Sequence, residues 1–275
     1  MTKNIGLYII FIFFVVNCVG QPNCNIYKWE GDTLCYNACL EAIKAIEFEQ
    51  GSKESQIHFD KAIELCPTFA YAYFEKAVPY LKRGNFVTWK KLIDKAVELS
   101  PAEYLGYRGW CRYQFLRDYE GAIKDIEKLD SLVNYDIGYS INGDYHLNIA
   151  KALCYKVLGQ KKRAIEIIEQ QFSSDNYSPS LYDYLHLGVL KLETDDYNGA
   201  ITALKKEIEI NDYLAETYYY LALAYKKLSE KVEYDKNLLK AKEYYTNGKK
   251  RTDPYTEPMD KIYLTDIEDE MKNGW

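Results

Sequence analysis

Three histidines, His58, His146 and His186, are the only side chains in this 275-residue chain that ordinarily titrate near neutrality. They lie far apart in sequence, and each reads as a helix-surface or inter-helix residue rather than as a general base. No GxSxG, HExxH, GxGxxG or phosphate-cradling glycine-rich loop occurs. Acidic groupings such as Asp195-Asp196 and Glu268-Asp269-Glu270 match catalytic carboxylates in composition only, because they fall at a turn and in a tail where solvated charge is the ordinary state. Seven cysteines are present: Cys18, Cys24, Cys35, Cys39, Cys66, Cys111 and Cys154. Cys35 and Cys39 are four apart, hence on one helix face, with Cys24 just upstream. A disulfide from Cys24 to one of them and a set of small buried hydrophobes are both open readings. With no CxxC pair, zinc is not expected. The pattern implies no metal, no cofactor and no catalytic residues, so a non-enzyme is expected.

What the composition does offer is surface for contact. Twenty-eight tyrosines stand against ten phenylalanines, and each tyrosine brings an apolar ring with a hydroxyl that needs a partner. Such residues suit half-buried positions between helices and wet binding grooves. Net charge is -6, and the one dense basic cluster, Lys249-Lys250-Arg251, is followed by an acidic tail. A nucleic-acid partner, which needs a basic footprint, is not expected.

The chain opens with Lys3 and then an apolar run, Ile5 to Val16. This is the pattern of a signal peptide and is too short for a comfortable membrane span. Cleavage after Gly20 leaves six cysteines and places the chain in an extracytoplasmic, secreted or periplasmic setting. A second reading lipidates Cys18, and a third keeps the segment as an uncleaved anchor. Either would give the only membrane association.

Internal periodicity sets the fold. KAIELCP, ending at Pro67, and KAVELSP, ending at Pro101, place their prolines 34 residues apart. Tyr184, Leu187 and Gly188 recur 34 residues later as Tyr218, Leu221 and Ala222. With Tyr225 after the second set, and with Trp110, Tyr113, Ala122, Tyr155, Ala164 and Ala200 at matching places, the chain resembles the tetratricopeptide-repeat family. The small-residue position of the second helix falls at Ser55, Trp89, Ala122, Ala164, Ala200 and Tyr234. Trp89 and Tyr234 break the small-residue rule and predict looser helix spacing there. Pro79 falls inside a first helix and predicts a kink. The long interval between Ala122 and Ala164 predicts an inserted loop within residues 131–144, either a contact element or a tolerated insertion.

The resemblance implies an all-α, right-handed α-solenoid of about six antiparallel helix-pair repeats with a C-terminal capping helix. The expected divisions are residues 1–20 as signal peptide, 21–32 as linker, 33–248 as repeats and 249–275 as tail. The tail helix is expected to cap the open end or reach back across the array. In this family the first helices line a groove. Mapped onto this chain, the groove carries Tyr71, Phe74, Tyr104, Tyr107, Arg108, Tyr182 and Tyr219, with His146, Ile149, Leu185 and Glu216 at equivalent places. Lys156 and Lys226 are further candidate positive charges. The asparagines of the family's carboxylate clamp are missing, so that ligand is not implied. The expected partner is a protein or peptide. A glycan-acting hydrolase built on paired helices and a purely structural assembly subunit are the competing readings.

Overall fold

The computed structural model describes residues 21–275, and the apolar N-terminal run with its three readings lies outside them. Two compact units divide the chain at Leu99 and Ser100. Within them, α-helices pair with their sequence neighbours throughout.

The first unit contains α1 (Asn25–Glu30), α2 (Thr33–Lys44), α3 (Lys53–Leu65), α4 (Ala70–Lys82) and α5 (Phe86–Leu99). Helix starts follow local capping chemistry. The Asp32 carboxylate accepts from Cys35 N and the Ser52 hydroxyl from Ser55 N, satisfying amides that the helix itself leaves unbonded. Two disulfides join these elements, Cys24–Cys39 and Cys35–Cys66, with Cα separations of 5.5 and 5.0 Å. They close around a small core in which Phe59, Phe69, Ala38, Ala42 and Ala62 are buried. Helix α4 continues through Pro79, and Pro79 packs against Gly51, whose φ of +83° only glycine adopts readily. A Cβ at Gly51 would stand 2.5 Å from the proline ring, and Arg83 secures the contact by donating to Gly51 O at 2.8 Å.

The second unit contains α6 (Pro101–Cys111), which ends in a π-helical turn over Arg112–Leu116. It continues with α7 (Tyr119–Leu132), α8 (Leu147–Val157), α9 (Lys161–Phe172), α10 (Asp183–Leu192), α11 (Tyr197–Ile210), α12 (Ala215–Lys227), α13 (Lys231–Thr246) and α14 (Leu264–Asn273). The sequence Asp-Tyr-x-Gly-Ala occurs at residues 118–122 and again at 196–200. In both copies the aspartate caps the second helix by accepting from the glycine amide. Cys111 and Cys154 are unpaired and buried.

Six helix pairs thus stand among the described residues: α2/α3, α4/α5, α6/α7, α8/α9, α10/α11 and α12/α13. All six small-residue positions fall in the first turn of the second helix, and all are buried, Trp89 at 1% and Tyr234 at 3% exposure. The pairs close where small residues meet: a Cβ at Gly188 would stand 2.5 Å from Leu204 Cγ. In α6 the corresponding contact is Gly109 against Ala122 and Ile126. It lies thirteen residues before Ala122, where Gly188 lies twelve before Ala200. The π-turn after α6 accommodates the extra residue.

Replacing Gly188 by valine should therefore force α10 and α11 apart. The expected loss is about 1–3 kcal/mol of stability, read as a lower urea midpoint at unchanged m-value.

Candidate functional site

In the second unit the first helices present Gln114, Lys156, His186 and Glu216 toward one another's surroundings, and a non-helical segment, residues 249–263, runs across them. Its main chain is held at the near end by the start of α12. Ala215 N donates to Lys249 O at 2.8 Å, and the Glu216 carboxylate accepts from Arg251 N at 3.1 and 3.2 Å. The other end is anchored by Ile262, buried in the apolar cluster with Ala215, Tyr218 and Leu221 of α12. Between them the chain is pinned by Gln114, which donates to Asp253 at 3.1 Å and Thr256 at 2.7 Å, and by Arg117, which donates to Glu257 O at 2.9 Å.

Two charged side chains of the segment are buried. Arg251 lies with its guanidinium carbon 4.1 Å from the Tyr182 ring centre, and donates to the Tyr145 hydroxyl at 2.5 Å and to Met259 O at 2.6 Å. Asp260 accepts from Lys156 Nζ on one oxygen and from His186 Nδ1 at 2.6 Å on the other. His186 Nε2 in turn stands 3.1 Å from the Tyr145 hydroxyl. Because Asp260 accepts from Nδ1–H and burial keeps the ring neutral, Nε2 is the acceptor, facing the Tyr145 hydroxyl and, at 3.4 Å, an Arg251 guanidinium nitrogen. The result is one continuous chain of bonds, Arg251–Tyr145–His186–Asp260–Lys156.

Burial and neighbouring charge set the ionisation. Burial pushes the His186 imidazole down to about 4, and Arg251 and Lys156 reinforce the shift while Asp260 opposes it. Burial raises the Asp260 carboxyl, but Lys156 and His186 outweigh it and hold the group below its usual range. Burial also pushes Glu216 up, against the amides that bond to it.

The inserted loop supplies the middle of this network. It folds on itself through Ser140 N to Tyr145 O at 2.7 Å and Leu147 N to Gly138 O at 2.9 Å, and Tyr139 and His146 form an antiparallel bridge. That fold delivers the Tyr145 ring against Trp110, at 5.7 Å between centres, and against His186 at 5.6 Å. The tail helix α14 packs next to α13: Lys226 pairs with Glu270 at 2.6 Å, and the Tyr234 hydroxyl donates to Glu270 O at 3.1 Å.

The residues expected from sequence fall in different settings. Tyr182 stacks on Arg251, and Tyr219 is half-buried beside Tyr220, its hydroxyl pushed up to about 12 by burial and by Asp266 and Glu270. Tyr71 and Phe74 lie half-buried on α4 of the first unit, where Tyr71 packs on Phe69 and burial raises its hydroxyl. Tyr104 is buried in α6, and the Tyr107 hydroxyl bonds to Cys111. Arg108 makes a forked pair with Asp125 on α7, at 2.8 and 2.6 Å, joining the two helices of one repeat. Of the three cations singled out in the sequence, Lys156 and Lys226 both engage carboxylates of the tail. Sequence reasoning passed over Tyr145 and Asp260; His186 was read only as a helix-surface or inter-helix residue, and Arg251 only as the end of a basic cluster.

No family model matches the sequence, and no curated protein matches it. Solved structures do resemble the fold. PilW, a widely conserved type IV pilus biogenesis factor, is 14% identical over 84% of this chain and 98% of its own, with a TM-score of 0.60. PilF of Pseudomonas aeruginosa is 14% identical over 85% and 97%, at 0.61. YrrB, a tetratricopeptide-repeat protein with an unusual peptide-binding site, is 18% identical over 69% and 93%, at 0.56. The chain therefore has the tetratricopeptide-type helix-pair fold.

The neutral His186 predicts an acid sensitivity with a defined sign. Its folded pKa of about 4 lies below the ordinary 6.5, so the unfolded chain takes up a proton that the folded one refuses. The stability this group contributes is present above pH 6.5 and lost as pH falls toward 4. Glu207, pushed up to about 8 by burial, acts with opposite sign, its contribution being lost as pH rises from 4.5. The difference between wild type and His186→Gln in urea unfolding isolates the histidine. The wild-type advantage should shrink steadily as pH drops through that window.

Proposed function

We propose that this chain is an extracytoplasmic, non-enzymatic scaffold that binds a protein or peptide partner along the tyrosine-rich first-helix face of its second unit. One observation carries the reading: a non-helical, looped stretch of polypeptide, residues 249–263, is already seated on that face. The face grips it through main-chain bonds to Glu216 and through side-chain bonds to Tyr145, Lys156 and His186. A surface that already grips one non-helical segment through side-chain and main-chain bonds has the donors and acceptors to grip another. The description of YrrB as peptide-binding and of PilW as a pilus biogenesis factor agrees with a role in assembling proteins. The apolar run at residues 5–16 and the Cys24–Cys39 and Cys35–Cys66 disulfides support export to an oxidising compartment.

A second reading draws on the same occupancy. If residues 249–263 never leave, partners meet the outer surface, where Val232 and Leu239 of α13 are 79% and 61% exposed. A photo-crosslinking residue at position 182 or 219 in the Arg251→Ala chain, expressed in its native envelope, separates the two. Adducts with another protein at these positions, and none with the probe at Val232, support the groove. Adducts at Val232 alone support the outer surface and overturn it.

The compartment has its own test. Thiol trapping of the full chain in intact cells should leave Cys24, Cys35, Cys39 and Cys66 unlabelled until a reductant is added. Labelling of all four without reductant would contradict export.

A further inference from the structure

Residues 249–263 show what the face selects. Arg251 and Asp260 are the two charged side chains that the segment buries, and each has a socket made by other parts of the unit. The arginine socket is the Tyr182 ring and the Tyr145 hydroxyl, the guanidinium also bonding the segment's own Met259 carbonyl; the carboxylate socket is Lys156 with His186 Nδ1. Between the sockets the segment bulges into solvent, with Tyr255 at 83% exposure and only Gln114 and Arg117 beneath it. Asp260 reaches its socket with φ of +62°, a left-handed conformation that a non-glycine residue adopts at some cost. The segment's apolar anchor, Ile262, lies at its far end; a buried ion pair adds little stability over well-packed hydrophobic residues of the same volume, so the two charged sockets add selectivity. Charged sockets filled by a strained, bulged segment are the features of a site that discriminates and exchanges.

We infer that the first-helix face of the second unit is a two-socket receptor for a looped partner segment that brings one arginine and one carboxylate side by side, as Arg251 and Asp260 meet on the two sides of His186, and that residues 249–263 are its built-in competitor. This rests on the groove reading above and adds the chemistry of the ligand. Helices α13 and α14 tether both ends of the built-in segment, so it yields the face by lifting away as a loop, and a partner enters at the exposed middle. Tethering gives it a high effective concentration, so only a segment that fills both sockets competes.

The test uses the full chain and a fluorescent synthetic peptide of residues 249–263. The variant Arg251→Ala/Asp260→Asn empties both sockets while leaving Tyr145, Lys156, Tyr182, His186 and Glu216 in place. It should bind the peptide about tenfold or more tighter than wild type does. Replacing arginine by alanine or aspartate by asparagine in the peptide should each weaken binding about tenfold. A second variant, Gln114→Ala/Arg117→Ala, loosens only the bulge and should raise peptide binding above wild type; it supplies the readout if the first loses its helical circular dichroism. If a folded variant binds the substituted peptides as tightly as the native one, the two-socket chemistry is overturned while the groove reading stands. If a folded variant binds no peptide, or if the loosened chain only dimerises by exchanging its own segment, both readings fall.

Discussion

Taking a guanidinium and a carboxylate out of water costs several kcal/mol each unless every donor and acceptor finds a partner. In the second unit Arg251 and Asp260 meet that demand through a single chain of bonds that draws on α8, α10 and the inserted loop. The arrangement constrains all of them at once. His186 must stay neutral so that Nε2 accepts while Nδ1–H donates to Asp260. Tyr145 must be held at the right height by the folded loop, and Lys156 must stay charged to balance the carboxylate. Apolar packing still supplies the bulk of the stabilisation, with Leu185, Leu204, Leu221, Ile262 and Ile267 buried in one cluster. What the polar chain adds is position, because it admits one register of the segment over the first-helix face.

The same constraint explains the irregularities of the repeat. A regular array needs neither an inserted loop between α7 and α8 nor a π-turn after α6. Here the loop carries Tyr145 into the network, and the π-turn places Gln114 and Arg117 under residues 253–257. Departures from the repeat cluster where the segment is held. In the first unit they serve a different purpose: Gly51 against Pro79 and the two disulfides fasten short helices around a small core.

Local chemistry made the helix pairs legible in the sequence. Small residues at fixed spacing, aspartate caps and prolines after second helices all act within one repeat, and the six second-helix positions all fall in the first turn of their helices. The inserted loop was legible from Gly138, Asn142 and Gly143. The network was not, because its bonds join residues 106 positions apart for Arg251 and Tyr145 and 74 apart for His186 and Asp260. Periodicity assigns faces to helices but says nothing of which distant segment lies on a face. The tail was legible as a helix that caps or reaches back; that residues 249–263 precede it across the face depended on Arg251, which composition alone presents as surface charge. Trp110 at the end of α6 and Tyr113 in the π-turn pack against the Tyr145 ring, a contact with the inserted loop that periodicity does not encode.

Amide hydrogen exchange on the full chain tests the seating of this segment most directly. Arg251 and Ile262 lie outside any helix, yet the Arg251 amide is bonded to the buried Glu216 carboxylate and Ile262 is itself buried. The account requires both to exchange far more slowly than an unstructured chain, while Tyr255 and Thr256 in the bulge exchange quickly. Uniformly fast exchange from residue 250 to 263 would mean that the segment does not occupy the face, and the account would fail.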